Sequence, residues 1–357
     1  MTKNIVHVVG ARPNFVKAAP VINALKKEIQ DLNQIVIHTG QHYDANLSDI
    51  FFNALKIPKP DINLKIASSR MQGKQVADVI VGIEKYLTGK KVDLLIVYGD
   101  INSTLGATLA ATKMGISIAH VEAGLRSFDR SMPEETNRII VDRISDLHFV
   151  TEQSAVKNLL NEGAEKSSIF FVGNTMIDSL YNVLPLIEDP NIKEDYILIT
   201  LHRPSNVDNL SGLEKILDIC RSIKTRMIFP IHPRTRNSFA NFKLLNELNN
   251  IKNLDIIDPV GYFEFSALMK HSMAVLTDSG GIQEETTALG IPCLTLRKNT
   301  ERPSTIFEGS NKLVDSKKEL LSYLSVIKAK SLPPFGKPEL WDGKSGERIS
   351  RIIKELI

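Results

Sequence analysis

MAVLTDSGGIQEETTALGIPCLTL, residues 273–296, holds two short apolar runs separated by a helical pattern. The first run stops at Thr277-Asp278, and the second, PCLTL, resumes at 292. A strand that returns parallel to its predecessor needs a crossover, normally a helix. Continuous apolar runs, as opposed to alternating ones, are what a parallel sheet covered on both faces requires. Between the runs, Ser279-Gly280-Gly281 opens the helix. Missing Cβ atoms let backbone N–H groups approach an anion at a helix N-terminus, so the junction has the form of a phosphate cradle. Ser279 is placed to cap the helix and offer its hydroxyl. Glu284 and Glu285 are consecutive and point about 100° apart, so they cannot share one task. Glu285 shares a face with Gly281, where a carboxylate could accept both hydroxyls of a ribose. A tight strand-to-helix turn with acidic residues favoured by the helix dipole would carry the same pattern.

The alternation extends in both directions. Strand candidates fall at 5–9, 34–38, 93–98, 116–121, 147–150 and 169–172, then at 196–201, 226–231, 254–257, 273–277 and 292–296. Helical patterns lie between them. In FVKAAPVINALKKEI (15–29), Phe15, Ala18, Val21, Ile22, Leu25 and Ile29 fall on one helical face. Two series of strands predict two doubly wound α/β domains, 1–172 and 173–345, with a final helix at 346–357 that could pack back on the first. Ligands of open α/β sheets bind at the carboxyl ends of the strands, so the expected site is a central cleft faced by two sets of strand ends.

Composition narrows the function classes. Of 357 residues, 43% are hydrophobic and 24% charged, as in an ordinary globular protein. Lys and Arg number 44 against 41 Asp and Glu, a net charge of +3 that argues against a nucleic-acid partner. The two cysteines, Cys220 and Cys293, have no metal-ligand spacing and build no disulfide framework. No apolar window reaches about 18 residues, so no membrane span is expected, and a cytoplasmic location follows as the default.

Polar motifs cluster at the strand ends. GARPNFVK (10–17) places Arg12 and Lys17 beside a helix N-terminus, where acids would normally sit; cations there suit an anionic ligand such as a diphosphate. YGDINST (98–104) puts Asp100 at the end of the most apolar strand. HVEAGLRSFDRSMPEETNR (120–138) ends a strand at Glu122, and its helix carries Glu134 and Arg138 at i, i+4 on one face, with Glu135 on another. Asp100, Glu122 and Glu134 would bring three carboxylates together, raising one another's proton affinity. His202 and His232 follow two strands of the second series. The loop RKNTERPS (297–304) adds Arg297, Lys298 and Arg302.

These motifs, in order and spacing from Gly10 to about Val314, resemble the non-hydrolysing UDP-N-acetylglucosamine 2-epimerases. The segments that carry the likeness are GARPNFVKAAPV, VYGDINST, HVEAGLRS with PEETNR, VGNTMIDSL, His202-Arg203 with Asn206, and LTDSGGIQEE with TERP. The resemblance implies a glycosyltransferase-B type fold of two Rossmann-like domains, usually a homodimer, with a UDP-sugar as substrate. It implies an acid/base set at Asp100, Glu122 and Glu134 and an active-site histidine at His202. Phosphate and cleft cations would be Arg12, Lys17, Arg138 and Arg302. The diphosphate would lie on Ser279, Gly280 and Gly281, with the ribose on Glu285. Gln41 and His42 match a regulatory pocket for a second UDP-N-acetylglucosamine. Neither NAD nor metal is implied. Two segments depart from the family pattern: Gly10-Ala11-Arg12-Pro13-Asn14 replaces Gly-Thr-Arg-Pro-Glu, and His202-Arg203-Pro204-Ser205-Asn206 replaces His-Arg-Arg-Glu-Asn. The second removes a cation and an acid, which leaves epimerases of diacetamido-uronic acid nucleotides as an alternative.

The family's route is loss of UDP to give a 2-acetamidoglucal, then re-addition with protonation on the opposite face. It requires a base, an acid and a firm hold on the departing diphosphate, with the domains closed over the glycal. A hydrolysing epimerase that releases N-acetylmannosamine, a glycosyltransferase of the same fold, and a non-catalytic nucleotide-sugar binder are the rival readings.

Overall fold

The structure, a computed structural model, describes residues 2–40, 59–67 and 71–357, with Arg12 described in its backbone alone. These residues form two compact units, Met1–Val183 with Glu339–Ile357, and Leu184–Pro338.

The first unit is built on a seven-stranded parallel sheet: β1 (Lys3–Val9), β2 (Leu32–His38), β3 (Ile62–Asn63), β4 (Leu94–Tyr98), β5 (Ile118–Ala123), β6 (Leu147–Val150) and β7 (Ile169–Phe171), in the order β3-β2-β1-β4-β5-β6-β7. Its helices are α1 (Arg12–Glu28), α2 (Gln72–Leu87), α3 (Asn102–Lys113), α4 (Pro133–Ile144), α5 (Gln153–Asn161) and α6 (Thr175–Val183). Every residue of β4, LLIVY, is buried, as expected of a central strand covered on both faces. α2 sends Gln75, Val79, Ile83 and Leu87, spaced by one turn, into the core. The strand order reverses direction between β1 and β4, whose register pairs Ile5 with Leu94 and Val8 with Val97. This switch point is where a doubly wound sheet opens a crevice.

The second unit repeats the plan with six parallel strands: β8 (Tyr196–Thr200), β9 (Arg226–Pro230), β10 (Leu254–Ile257), β11 (Ala274–Thr277), β12 (Cys293–Thr295) and β13 (Asn311–Leu313), ordered β10-β9-β8-β11-β12-β13. Its longer helices are α7 (Leu210–Ser222), α8 (Pro233–Asn241), α9 (Tyr262–Lys270), α10 (Gly280–Leu289) and α11 (Lys317–Lys328). The switch point lies between β8 and β11, with Thr200 opposite Thr277. Two doubly wound parallel sheets thus bear out the α/β expectation. Each anticipated strand forms. The opening quotation is β11, α10 and β12, although β12 begins at Cys293 because Pro292 has no N–H for the ladder. β3 and β13 were not foreseen; both are edge strands too short to show a pattern.

The last helix, α12 (Ser345–Leu356), belongs to the first unit. Its N-terminus is met by Asp178 of α6, which accepts from Ser345 N at 3.1 Å and Gly346 N at 2.7 Å. A carboxylate there answers both orphan amides and the helix dipole. Gly346 packs so close to α1 that a Cβ would lie 2.6 Å from the Pro20 carbonyl oxygen. Just upstream, the Trp341 indole donates to Thr151 O at 2.9 Å.

Candidate active site

In the first unit the chain leaves β1 through Gly10, where a Cβ would lie 2.2 Å from Ser103 Oγ. The absent side chain lets the N-terminus of α3 close on this turn. Asn14, buried in the first turn of α1, ties the two switch-point strands together. Its Oδ1 accepts from Gly10 N (3.3 Å) and Ala11 N (3.1 Å), while its Nδ2 donates to Tyr98 O (2.8 Å). The departure from the family's glutamate is therefore a cross-link that needs both a donor and an acceptor, which an amide supplies and a carboxylate does not.

One turn further, Lys17 Nζ lies 2.5 Å from Glu122 Oε2, and both side chains are buried. Glu122 sits where β5 shifts register against β6, between Val121 and Ala123, and its φ is +75°. A non-glycine residue in this region costs about 1–3 kcal/mol, and such strain clusters at functional sites. The bulge turns the carboxylate to meet Lys17. Gly99, with φ +63°, lies beside the pair: a Cβ there would stand 3.0 Å from Lys17 Nζ and 4.0 Å from Glu122 Oε1. Asp100 follows directly.

α4 holds Asp100 from the other side. Arg138 Nη1 contacts Asp100 Oδ2 at 2.5 Å, and Asn137 Nδ2 donates to the Asp100 carbonyl at 2.8 Å. Here the structure departs from the sequence expectation of a shared Glu134–Arg138 face. Arg138 pairs with Glu135, at 2.6 Å, and Glu134 is exposed. The reason is the 124–132 loop. Glu135 accepts from Ser127 N and Oγ, each at 2.9 Å, and from Phe128 N at 2.8 Å, which draws it inward. Burial pushes the Glu135 carboxyl up, but these bonds and Arg138 outweigh it and hold the group below its ordinary range. The three acids expected to repel one another are thus served separately. Glu122 has Lys17, Asp100 has Arg138, and Glu134 is exposed on the first turn of α4.

In the second unit, Asp278 is the hub that sequence reasoning missed. It ends β11 fully buried. Its oxygens accept from His202 N (3.1 Å), Arg203 N (2.9 Å) and Asn206 Nδ2 (3.0 Å). It therefore binds the loop after β8 to the loop after β11. The available signal was its place at the end of a strand adjacent to β8. The His202 side chain is 39% exposed, its ring 5.4 Å from that of His232. His232 caps α8 by accepting Arg234 N at Nδ1, 3.1 Å away.

Ser279 takes the N-cap position of α10 but makes no side-chain cap bond, so the expected capping role is not taken up. Its own N–H is met by Thr277 Oγ1 at 3.0 Å. Gly280 is required by close approach: a Cβ would lie 2.5 Å from Arg302 Nη1 and 2.8 Å from Glu301 Oε1. Arg302 is thereby laid against the start of α10, with Nε 2.8 Å from Glu284 and Nη1 on Glu301. Arg297 (2.8 Å) and Arg203 (3.7 Å) also reach Glu301. Burial pushes Glu301 up, and the three guanidinium groups more than reverse it, holding the carboxyl far below its usual range. Three guanidiniums gathered on Glu301 and Glu284 lie beside a helix N-terminus, a suitable setting for an anion. Glu285 is buried and accepts from the Tyr262 hydroxyl at 2.8 Å. Desolvation pushes it up to about 7, with Tyr262 opposing and Glu284 adding.

Within the first unit the structure therefore brings together Lys17, Glu122, Asp100 and Arg138. Within the second it brings together Ser279, Gly280, Gly281, Glu285 and Arg302 on α10 and its flanking loop, and His202 with His232 after β8 and β9. Arg12 starts α1, its side chain outside the description, and Gln41 and His42 lie outside the described residues. Among the described residues no group of three or more His, Cys, Asp or Glu is arranged to hold a metal, and no helix is long and apolar enough to cross a membrane.

Comparison with known proteins places this geometry. Residues 23–354 match a family model described as UDP-N-acetylglucosamine 2-epimerase. A Methanocaldococcus jannaschii UDP-N-acetylglucosamine 2-epimerase is 44% identical, with 97% of each chain covered. A Pseudomonas aeruginosa UDP-2,3-diacetamido-2,3-dideoxy-D-glucuronate 2-epimerase is 41% identical over 99% of each chain. The crystal structure of the Methanocaldococcus jannaschii UDP-GlcNAc 2-epimerase in complex with UDP-GlcNAc and UDP superposes with a TM-score of 0.90, at 42% identity over 99% of each chain.

Proposed function

The chain belongs to the UDP-N-acetylglucosamine 2-epimerase family, a family of isomerases, and on that footing we propose that it inverts carbon 2 of UDP-N-acetylglucosamine to give UDP-N-acetylmannosamine. The observation that carries the reading is Glu122, held at φ +75° with its carboxylate on Lys17 beside the Gly99–Asp100 turn. A buried acid on a strained backbone at the carboxyl end of a strand, next to the switch-point strand β4, suits proton transfer at a sugar carbon.

The second unit holds the diphosphate. The amides at the start of α10 and the Arg302 guanidinium take its charge, and Glu285 takes the ribose hydroxyls. The first unit supplies the proton-transfer groups, Asp100, Glu122 and Glu134. A carboxylate removes the carbon 2 proton as the bond from carbon 1 to the phosphate oxygen breaks. The electron pair forms a carbon 1–carbon 2 double bond, and UDP departs with that oxygen. In the return step a UDP oxygen attacks carbon 1 and an acid delivers a proton to the opposite face of carbon 2. General acid–base groups contribute about 10²–10⁴ each to such steps. His202 assists the leaving phosphate, and Lys17 and Arg138 keep Glu122 and Asp100 aimed between turnovers. UDP is retained for re-addition, which makes the reaction non-hydrolysing.

A second substrate reading rests on Arg203, which is partly exposed and bound to Glu301. It lies in a loop that departs from the family pattern at Pro204 and Ser205, where a guanidinium suits a sugar carboxylate such as that in the substrate named for the diacetamido-glucuronate 2-epimerase relative. Incubation with each UDP-sugar in heavy water, followed by NMR at carbon 2, separates the readings. Deuterium at carbon 2 with an intact UDP-manno product from UDP-N-acetylglucosamine supports the main one. Exchange confined to the diacetamido-uronate selects the second. Free N-acetylmannosamine would overturn the non-hydrolysing route.

A further inference from the structure

His120 is fully buried on β5, two residues before Glu122. Its Nδ1 lies 2.6 Å from Asp142 Oδ1 and its Nε2 lies 2.8 Å from the Gly99 carbonyl oxygen. The other Asp142 oxygen accepts from Arg126 Nη1 (2.6 Å) and Gly124 N (3.0 Å). Burial pushes the Asp142 carboxyl up, but His120 and Arg126 outweigh it, so it stays below its ordinary range. An ionised carboxylate and a backbone carbonyl are both acceptors with no proton to give. With Arg126 and Gly124 N donating to its other oxygen, Asp142 offers His120 an acceptor at Nδ1 as Gly99 O does at Nε2, a pair that suits a ring donating from both nitrogens. The titratable and charged groups around it are Asp142, Arg126 bound to that carboxylate, and His148, its register partner on β6, whose Nε2 lies 2.7 Å from the Asp142 carbonyl oxygen.

The carbonyl it grips belongs to the residue before Asp100. Gly99 also donates its N–H to Val121 O at 3.0 Å, so β5 secures the turn at both its backbone groups. Asp142 comes from α4, the helix that already holds the Asp100 carbonyl through Asn137 and its carboxylate through Arg138. Three consecutive fastenings of one dipeptide thus trace to α4, two directly and one through a histidine.

We propose that His120, donating from both ring nitrogens and clamped by Asp142, is a positioning residue that fixes the Gly99–Asp100 turn and so aims the Asp100 carboxylate at the sugar. The proposal rests on the epimerase reading above. Misplacing a reacting group by about 1 Å costs roughly 10²-fold in rate while leaving remote binding contacts intact. A core histidine with no such role would affect stability alone.

The test uses the full chain with His120→Gln, which can donate to Gly99 or face Asp142 but cannot bridge them as two donors. Expected are a kcat for UDP-N-acetylglucosamine lowered by about 10–100-fold, a KM within about threefold of wild type, and an unchanged Kd for UDP. In ¹⁵N-histidine-labelled wild-type protein, one ring missing from the variant should show two protonated nitrogens. An unaltered kcat in a folded variant, or equal losses in kcat/KM and UDP binding, overturns the positioning role. A single-proton tautomer overturns the clamp, and this readout holds even if the variant fails to fold. If the wild-type protein fails to exchange carbon 2 at all, the epimerase reading falls, and the NMR result still decides the clamp.

Discussion

The Lys17–Glu122 pair offers a test that separates folding from chemistry. Both side chains are more than nine-tenths buried and their charged atoms are 2.5 Å apart. Glu122→Gln keeps the shape and the strained φ but leaves the Lys17 ammonium uncompensated. Breaking one side of a buried pair costs about 3–5 kcal/mol, because a naked charge remains. Lys17→Met, close in volume, leaves the carboxylate in the same position. For a unit of this size that loss lowers Tm by roughly 10 °C. The double variant removes both charges and should recover to within about 1 kcal/mol of wild type, a strongly non-additive cycle. Activity should behave differently. Glu122→Gln loses the proton-transfer group and about 10²–10⁴ in kcat, and Lys17→Met does not restore it. Thermal unfolding and carbon 2 exchange in heavy water measure the two cycles. Additive stability losses would refute the buried-pair argument. A double variant that regains catalysis along with stability would show that Glu122 matters only as a partner for Lys17.

Gly280→Ala forces a methyl to within 2.5 Å of Arg302 Nη1 and so displaces the guanidinium from the start of α10. Loss of one charge-assisted hydrogen bond, about 1.5–3 kcal/mol, should weaken UDP binding by roughly 10–100-fold in calorimetry; an unaltered Kd would refute the cradle. Glu285, pushed up from 4.5 to about 7, keeps a proton that the unfolded chain loses, so its contribution to stability is full below about pH 4.5 and fades as pH rises through 7. The difference amounts to about 3 kcal/mol, and Glu285→Gln should flatten denaturant stability between about pH 5 and 7.5; an unchanged slope would assign the pH dependence to another group.

What the chain disclosed in advance, and what it withheld, follows from how far each interaction reaches along the backbone. β1, β4, β8 and β11 were legible because a buried parallel strand must be apolar throughout, and Gly10 and Gly280 were legible because a turn or close approach tolerates nothing larger. The residues that secure the site were not. Asp278 accepts from a loop 72–76 positions away, and His120 meets Asp142 22 positions on. Neither spacing has a period to detect. Local rules also misplaced a partner. An i, i+4 argument joins Glu134 to Arg138, yet Glu135 at i, i+3 is drawn inward by the amides of Ser127 and Phe128, because a loop eight residues back has folded over the helix start. Asn14 shows the same limit from the other side: the sequence marked it only as a departure from the family's glutamate, whereas its bonds to Gly10, Ala11 and Tyr98 tie β1 to β4. Sequence periodicity thus finds the strand ends at which a site must lie. The acids there owe their aim to hydrogen bonds between segments that become neighbours only once each doubly wound sheet has formed.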